Sequence, residues 1–294
     1  MRDNKMNKQI TKKQSNTKKI NKDNFNLTAL IKLQNSMQQY CHFVYDINFL
    51  DAWIIASNSI VNNISDDEIL PLFLMLNSHK IPLENTAEFK DFEDFLDQLV
   101  NFVNYRSSQI LSSNKIMPMM FDINYQSTDL FQTENFIINS YQWLYGYLNA
   151  YLLINNSDDY INCYENNIDN INHNDLEKTH TSTQLLEKLF FDSLYKLCIL
   201  FLYLDKHLTT RNQEQLFTLH DDLAAIHNNT IEDIYSMWSY DDASKSNLDT
   251  LEHEINKLDK HITFENLTDN LKYFQEMIIS NINKVFDATI NLNQ

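Results

Sequence analysis

The stretch YQWLYGYLNAY, residues 141–151, holds Gly146, the sole glycine in a chain of 294 residues. On a helix drawn through it, Leu144, Leu148 and Tyr151 share one side, and Trp143, Tyr147, Gly146 and Ala150 an adjoining one. Apolar character over most of the circumference predicts a largely buried helix spanning 134–154. A glycine inside a helix costs roughly 1 kcal/mol relative to alanine, so a compensating gain is expected. Gly146 and Ala150, at i and i+4, form a shallow groove against which another helix can lie. Helix axes normally sit about 8–10 Å apart, and small contact residues favour the near end of that range.

A second small-residue face is available. DINFLDAWIIASNSIV (46–61) reads as a helix whose start Asp46 can cap. Ala52, Ala56 and Ser59 recur at i, i+4 and i+7, which puts them on one face. The two helices are expected to cross at these small residues, flanked by Trp53 and Trp143. The predicted helix-contact set is Ala52, Trp53, Ala56, Trp143, Gly146, Tyr147 and Ala150.

Composition points the same way. One glycine and three prolines leave little turn chemistry for a sheet. Glycine-rich phosphate loops and dinucleotide fingerprints are excluded outright. A 43% hydrophobic content supplies a sizeable core. The expected class is all-α: an irregular bundle of about eight to nine helices. Cys41, Cys163 and Cys198 are scattered, with no C-x-x-C and no zinc-ligand spacing. That pattern, with no apolar leader, fits a reducing cytoplasm. The longest strongly apolar run, LCILFLYL (197–204), is too short to span a bilayer, so no membrane role is expected.

Charge is uneven. Residues 1–24 hold eight Lys/Arg and two Asp, whereas the remainder holds 15 Lys/Arg and 38 Asp/Glu. The basic stretch lacks the apolar content to fold and is expected to be a disordered tail, leaving 25–294 as a single helical domain. The acidic body should repel nucleic acid and anionic lipid, so nucleic-acid contact is expected only through 1–24.

Further helices are expected at 27–44, 183–206, 212–228, 248–262 and 264–291. SDDE (65–68) matches a capping box, and Pro71 must kink or delay the helix that follows. Phe89, Phe92, Leu96, Leu99 and Val103 make a helical stripe. Residues 112–133 read as irregular, and the Asn- and Asp-rich 155–181 as a polar loop or insertion. A polar connection is expected around YDDASKSN (240–247).

Several of these segments carry a likeness. LDAWIIASNSIVNNISDDEILPLFL (50–74) resembles the first signature of the YecA/YgfB-like bacterial proteins, where an acidic or His residue precedes a small and a large apolar one. WLYGYLNA (143–150) resembles the second, W-x-x-G-[FY]-[LV]-x-[GA]. DDLAAI (221–226) and NLKYFQEMIIS (270–280) are similar to later segments of the YgfB-like branch. Ala52 stands where a glycine is usual, the polar 155–181 stretch looks inserted, and the cysteine-rich zinc-binding C-terminal motif of YecA-like members is absent. The resemblance implies an α-helical cytoplasmic fold, often dimeric, with no established enzymatic activity.

Candidate chemistry is sparse. His220 and His227 lie seven apart on one helical face, about 10 Å by helical rise, too far to share one ion. Glu252, His253 and Glu254 are successive and point in different directions, as surface charge does. Tyr145, Tyr147 and Tyr151 could stack bases, but aromatics at helical spacing build cores. No catalytic, cofactor-binding or metal-ligating residue is therefore assigned, and no cofactor is expected. The expected function is a non-enzymatic, homodimeric protein-interaction module offering an acidic helical surface to a protein partner. Two competitors remain: a ribosome- or nucleic-acid-associated factor tethered by 1–24, and a metal-dependent hydrolase whose site assembles from distant His and carboxylates.

Overall fold

The computed structural model describes residues 25, 27–41, 47–59, 86–113, 115–122, 136–155, 176–217, 232, 234, 244–262 and 270–292. The described residues contain seven α-helices, one 3-10 turn and no strand. We number the helices α1 (Leu27–Tyr40), α2 (Ile47–Asn58), α3 (Ala87–Ser112), α4 (Phe136–Asn155), α5 (Leu176–Phe217), α6 (Ser244–His261) and α7 (Leu271–Leu292). The 3-10 turn, Met119–Phe121, lies between α3 and α4. None of these helices is long and apolar enough to cross a membrane.

The most extensive pairing is α2 on α4. Helix α5 packs on α4 and, more extensively, on α7, and carries α6. On the other side, α3 and α1 pack against α2 and against each other. Helix α2 is thus enclosed, and all its residues from Ile47 to Ser57 are buried. Two serines bond locally: Ser57 Oγ donates to the Trp53 carbonyl at 2.8 Å, and Ser59 Oγ, just past the helix, to that of Ile55 at 2.7 Å. The α2 start is met by Gln34 of α1, whose Oε1 accepts from the Ile47 N–H at 2.6 Å; Asp46, expected to cap it, lies outside the described residues.

Helix α3 is capped by Thr86, which accepts from the Phe89 N–H at 3.1 Å and satisfies an orphan donor of the first turn. Its core-facing stripe is Phe92, Phe95, Leu99, Phe102, Arg106 and Ile110. Phe89 and Leu96, expected on that stripe, are half-buried at its margin.

Three expected boundaries are corrected. The polar 155–181 stretch is not all loop, because Asn155 closes α4 and α5 begins at Leu176. Helix α5 does not stop at 206 but continues to Phe217. Helix α6 starts at Ser244, inside the expected polar connection. Polarity alone suggests a break in each case, yet none of these stretches carries the glycine or proline that stops a helix. The capping box at 65–68, Pro71 and the His220/His227 pair fall outside the described residues.

Candidate functional site

Gly146 is buried, and its missing side chain is explained by Phe49. A Cβ built there would stand 2.5 Å from the Phe49 carbonyl oxygen and 3.0 Å from its Cα. Backbone meets backbone, so no side chain can rotate away to make room. Phe49 precedes Ala52 by three residues and shares its face of α2. Around this contact Ala52, Trp53, Ala56, Trp143, Tyr147 and Ala150 are all buried. Trp143 stacks on Tyr147 at 5.4 Å, and the Tyr147 hydroxyl shares a hydrogen bond with Ser59. Burial pushes the Tyr147 phenol up, more than the Ser59 bond lowers it.

Beside the crossing lies a charged node in the core. Arg106 of α3 donates from Nε to Asp51 Oδ1 of α2 at 2.5 Å. Asp51 Oδ2 accepts from Trp143 Nε1 and from the Met119 N–H, each at 3.0 Å. Arg106 also donates to Gln109 Oε1 at 2.7 Å and to the Met117 carbonyl at 2.9 Å. One carboxylate thereby ties α2, α3, α4 and the 3-10 turn together. A buried charge pair of this kind persists only when its remaining hydrogen-bonding capacity is also satisfied. The outer side of Arg106 lines an open cleft of about 300 Å³ with Gln109, Ser112, Ser113 and Lys115. Its wall is pinned to α7, where Asn283 accepts from the Ile116 N–H at 2.7 Å and donates to the Ile116 carbonyl at 2.8 Å.

A second charged cluster joins α5 to α6. Asp259 accepts from Lys206 Nζ at 2.7 Å and lies 2.6 Å from His207 Nε2. Burial raises the Asp259 carboxyl, but the Lys206 and His207 bonds and charges outweigh it and hold the group below its ordinary range. Tyr203 packs edge-on to His207 and donates to the Ile262 carbonyl at 2.6 Å.

The exposed arc of α3 carries a run of negative charge. Glu88, Asp91, Glu93, Asp94 and Asp97 are all solvent-facing within three turns, accompanied by Lys90. None of the five carboxylates has an ion-pair partner among the described residues. Glu252 and His253 are exposed on α6, and among the described residues no three His, Cys, Asp or Glu side chains group to hold a metal.

The buried Asp51–Arg106 pair escaped the sequence reading, although both members left a signal. Asp51 interrupts an otherwise apolar helix, and Arg106 falls on the apolar stripe of α3 one turn after Phe102. The fold and this core define an all-α chain with a small-residue crossing and a buried ion pair. No protein-family model matches it, and neither the curated proteins nor the solved structures hold a match.

Proposed function

We propose that this chain is a non-enzymatic protein-interaction module that presents an acidic helical surface to lysine- and arginine-rich partners. The observation that carries this reading is the exposed carboxylate arc of α3. Five exposed acidic side chains fall within three turns of a helix whose apolar stripe is locked into the core: Glu93, Asp94 and Asp97 on the side away from that stripe, Asp91 at its flank and Glu88 in line with it at the helix start. Such an arrangement steers basic partners and rewards several simultaneous contacts, while each single pair stays weak. In this reading the chain is an irregular helical bundle acting as a cytoplasmic homodimer. The YecA/YgfB-like assignment belongs to the same proposal; it is favoured by the adjacency of its two signature segments, whose Asp51 and Trp143 share a hydrogen bond.

The test is direct. A fluorescent oligolysine peptide should bind the full chain with an affinity that falls steeply with salt. Replacing Asp91, Asp94 and Asp97 together by Asn should weaken binding about tenfold and flatten the salt dependence. Equal affinity of the triple variant and the parent would refute the α3 surface. Light scattering reads the oligomeric state separately.

A further inference from the structure

The acidic arc of α3 lies on the same helix that anchors the start of the described chain. The Phe25 ring packs edge-on to Phe102 at 5.2 Å and stacks on Tyr105 at 5.9 Å. At the other end of α1, Tyr40 contacts Phe92 at 5.2 Å and Phe95 at 5.4 Å. Helix α1 therefore runs antiparallel to α3, and residues 1–24 join the body beside Phe102. Asp97 and Glu88 stand about 8 and about 21 Å from Phe102 along the helix axis. An extended segment of this length reaches about 80 Å, so the whole arc is within range.

The chemistry is complementary. The segment carries eight Lys/Arg against two Asp, and the arc carries five carboxylates against Lys90. Tyr40 supplies an independent pointer. It is only 5% exposed, and among the described residues its hydroxyl has no hydrogen-bond partner. Its ring packs on Phe92 and Phe95, which lie one turn beyond Glu88 and Asp91 on α3; burial, then the charges of Asp91 and Glu88, raise its pKa. A phenol oxygen near carboxylates can accept from an ammonium or guanidinium group that also pairs with their charge.

We propose that the lysine-rich segment 1–24 docks on the carboxylate arc Glu88–Asp97 of its own chain and competes there with basic partners. The proposal rests on the reading of that arc as a binding surface and adds its regulation. Single exposed ion pairs are weak and screened by salt, so the contact is multivalent and reversible. Tethering raises the effective concentration of the segment above that of a free competitor.

The experiment compares the full chain with a variant carrying Lys12→Gln, Lys13→Gln, Lys18→Gln and Lys19→Gln, using the oligolysine probe at low salt. If the segment occupies the arc about nine-tenths of the time, the variant binds the probe about tenfold more tightly. Zero-length carbodiimide cross-linking of the dilute parent should join lysines of 1–24 to Glu88, Asp91, Glu93, Asp94 or Asp97 within one chain. Equal probe affinity of parent and variant overturns the docking and leaves the acidic surface standing. Failure of both proteins to bind the probe overturns the surface and the docking together. Cross-links formed only between two chains overturn the intramolecular contact in favour of pairing with a second copy.

Discussion

Asp51 and Arg106 sit 55 positions apart and meet through a 2.5 Å hydrogen bond inside the core. The carboxylate is the better connected partner. It takes the guanidinium on Oδ1 and two further donors, the Trp143 indole and the Met119 amide, on Oδ2. The guanidinium in turn holds the Met117 carbonyl and the Gln109 amide.

That inequality predicts unequal mutational costs. Asp51→Ala strands three buried donors at once, one of them charged. Breaking such a pair typically costs about 3–5 kcal/mol, and Asp51→Ala should fall at the upper end. Arg106→Met leaves Asp51 with its two Oδ2 donors and replaces the stem with apolar volume, so it should cost less. Urea unfolding of the two single variants and the double variant measures both the ranking and the coupling. An Arg106 variant less stable than the Asp51 variant would contradict the assignment of Asp51 as the hub.

Gly146 gives a sharper geometric test. A Cβ at 2.5 Å from a backbone carbonyl oxygen cannot be relieved by a side-chain rotation, so α2 and α4 must separate. Gly146→Ala raises helix propensity by about 1 kcal/mol, yet should destabilise the chain. Gly146→Leu should cost more, in the range of about 1–3 kcal/mol or beyond for overpacking. Denaturant titration of both variants checks this, and a Gly146→Ala variant more stable than the parent would show that the helices are not in backbone contact.

How far the sequence discloses this architecture depends on which interaction decides each feature. The buried character of α2 and α4 is legible because it follows from local periodicity and from one glycine among large aromatics. The facing residue is less so: the expected partners of Gly146 were Ala52, Ala56 and Ser59, whereas its closest approach is to the Phe49 backbone. Asp51 and Arg106 each look anomalous in their own helix, but nothing local pairs residues so distant. Helix ends are least legible. In α5 the apolar pattern fades well before the helix ends at Phe217, because a polar stretch without glycine or proline need not break a helix.

The Asp259 cluster predicts a pH dependence with a definite sign. Its carboxyl is held below the ordinary value of 3.8 in the folded chain, so the charged form is favoured by folding. Stability from this source is fully present above pH 3.8 and is lost as pH falls through the depressed folded value. The pair is partly solvent-exposed, which limits the effect to under about 1 kcal/mol. The parent and Asp259→Asn should therefore differ in stability near neutrality and converge in acid below pH 3.8. A gap that persists unchanged into strong acid would mean that packing, not charge, links α5 to α6 here.

The two described cysteines predict a mapping of local opening. Burial pushes the Cys41 thiol up to about 12, and Cys198 is fully buried in the middle of α5. The thiolate is the reactive species, so native alkylation at pH 8 should leave both unmodified, with mass spectrometry reading each site. Their responses to urea should differ. Cys41 follows the last residue of α1, where its N–H donates to the Met37 carbonyl at 2.8 Å, so opening at the end of α1 exposes it. Cys198 lies where α5 contributes a run of buried residues from Leu197 to Leu204, so its exposure requires the helix to leave the core. Cys41 should label at sub-denaturing urea with a shallow dependence, and Cys198 only with the steep dependence of global unfolding. Simultaneous labelling of both with one steep slope would mean that the end of α1 opens only with the whole body.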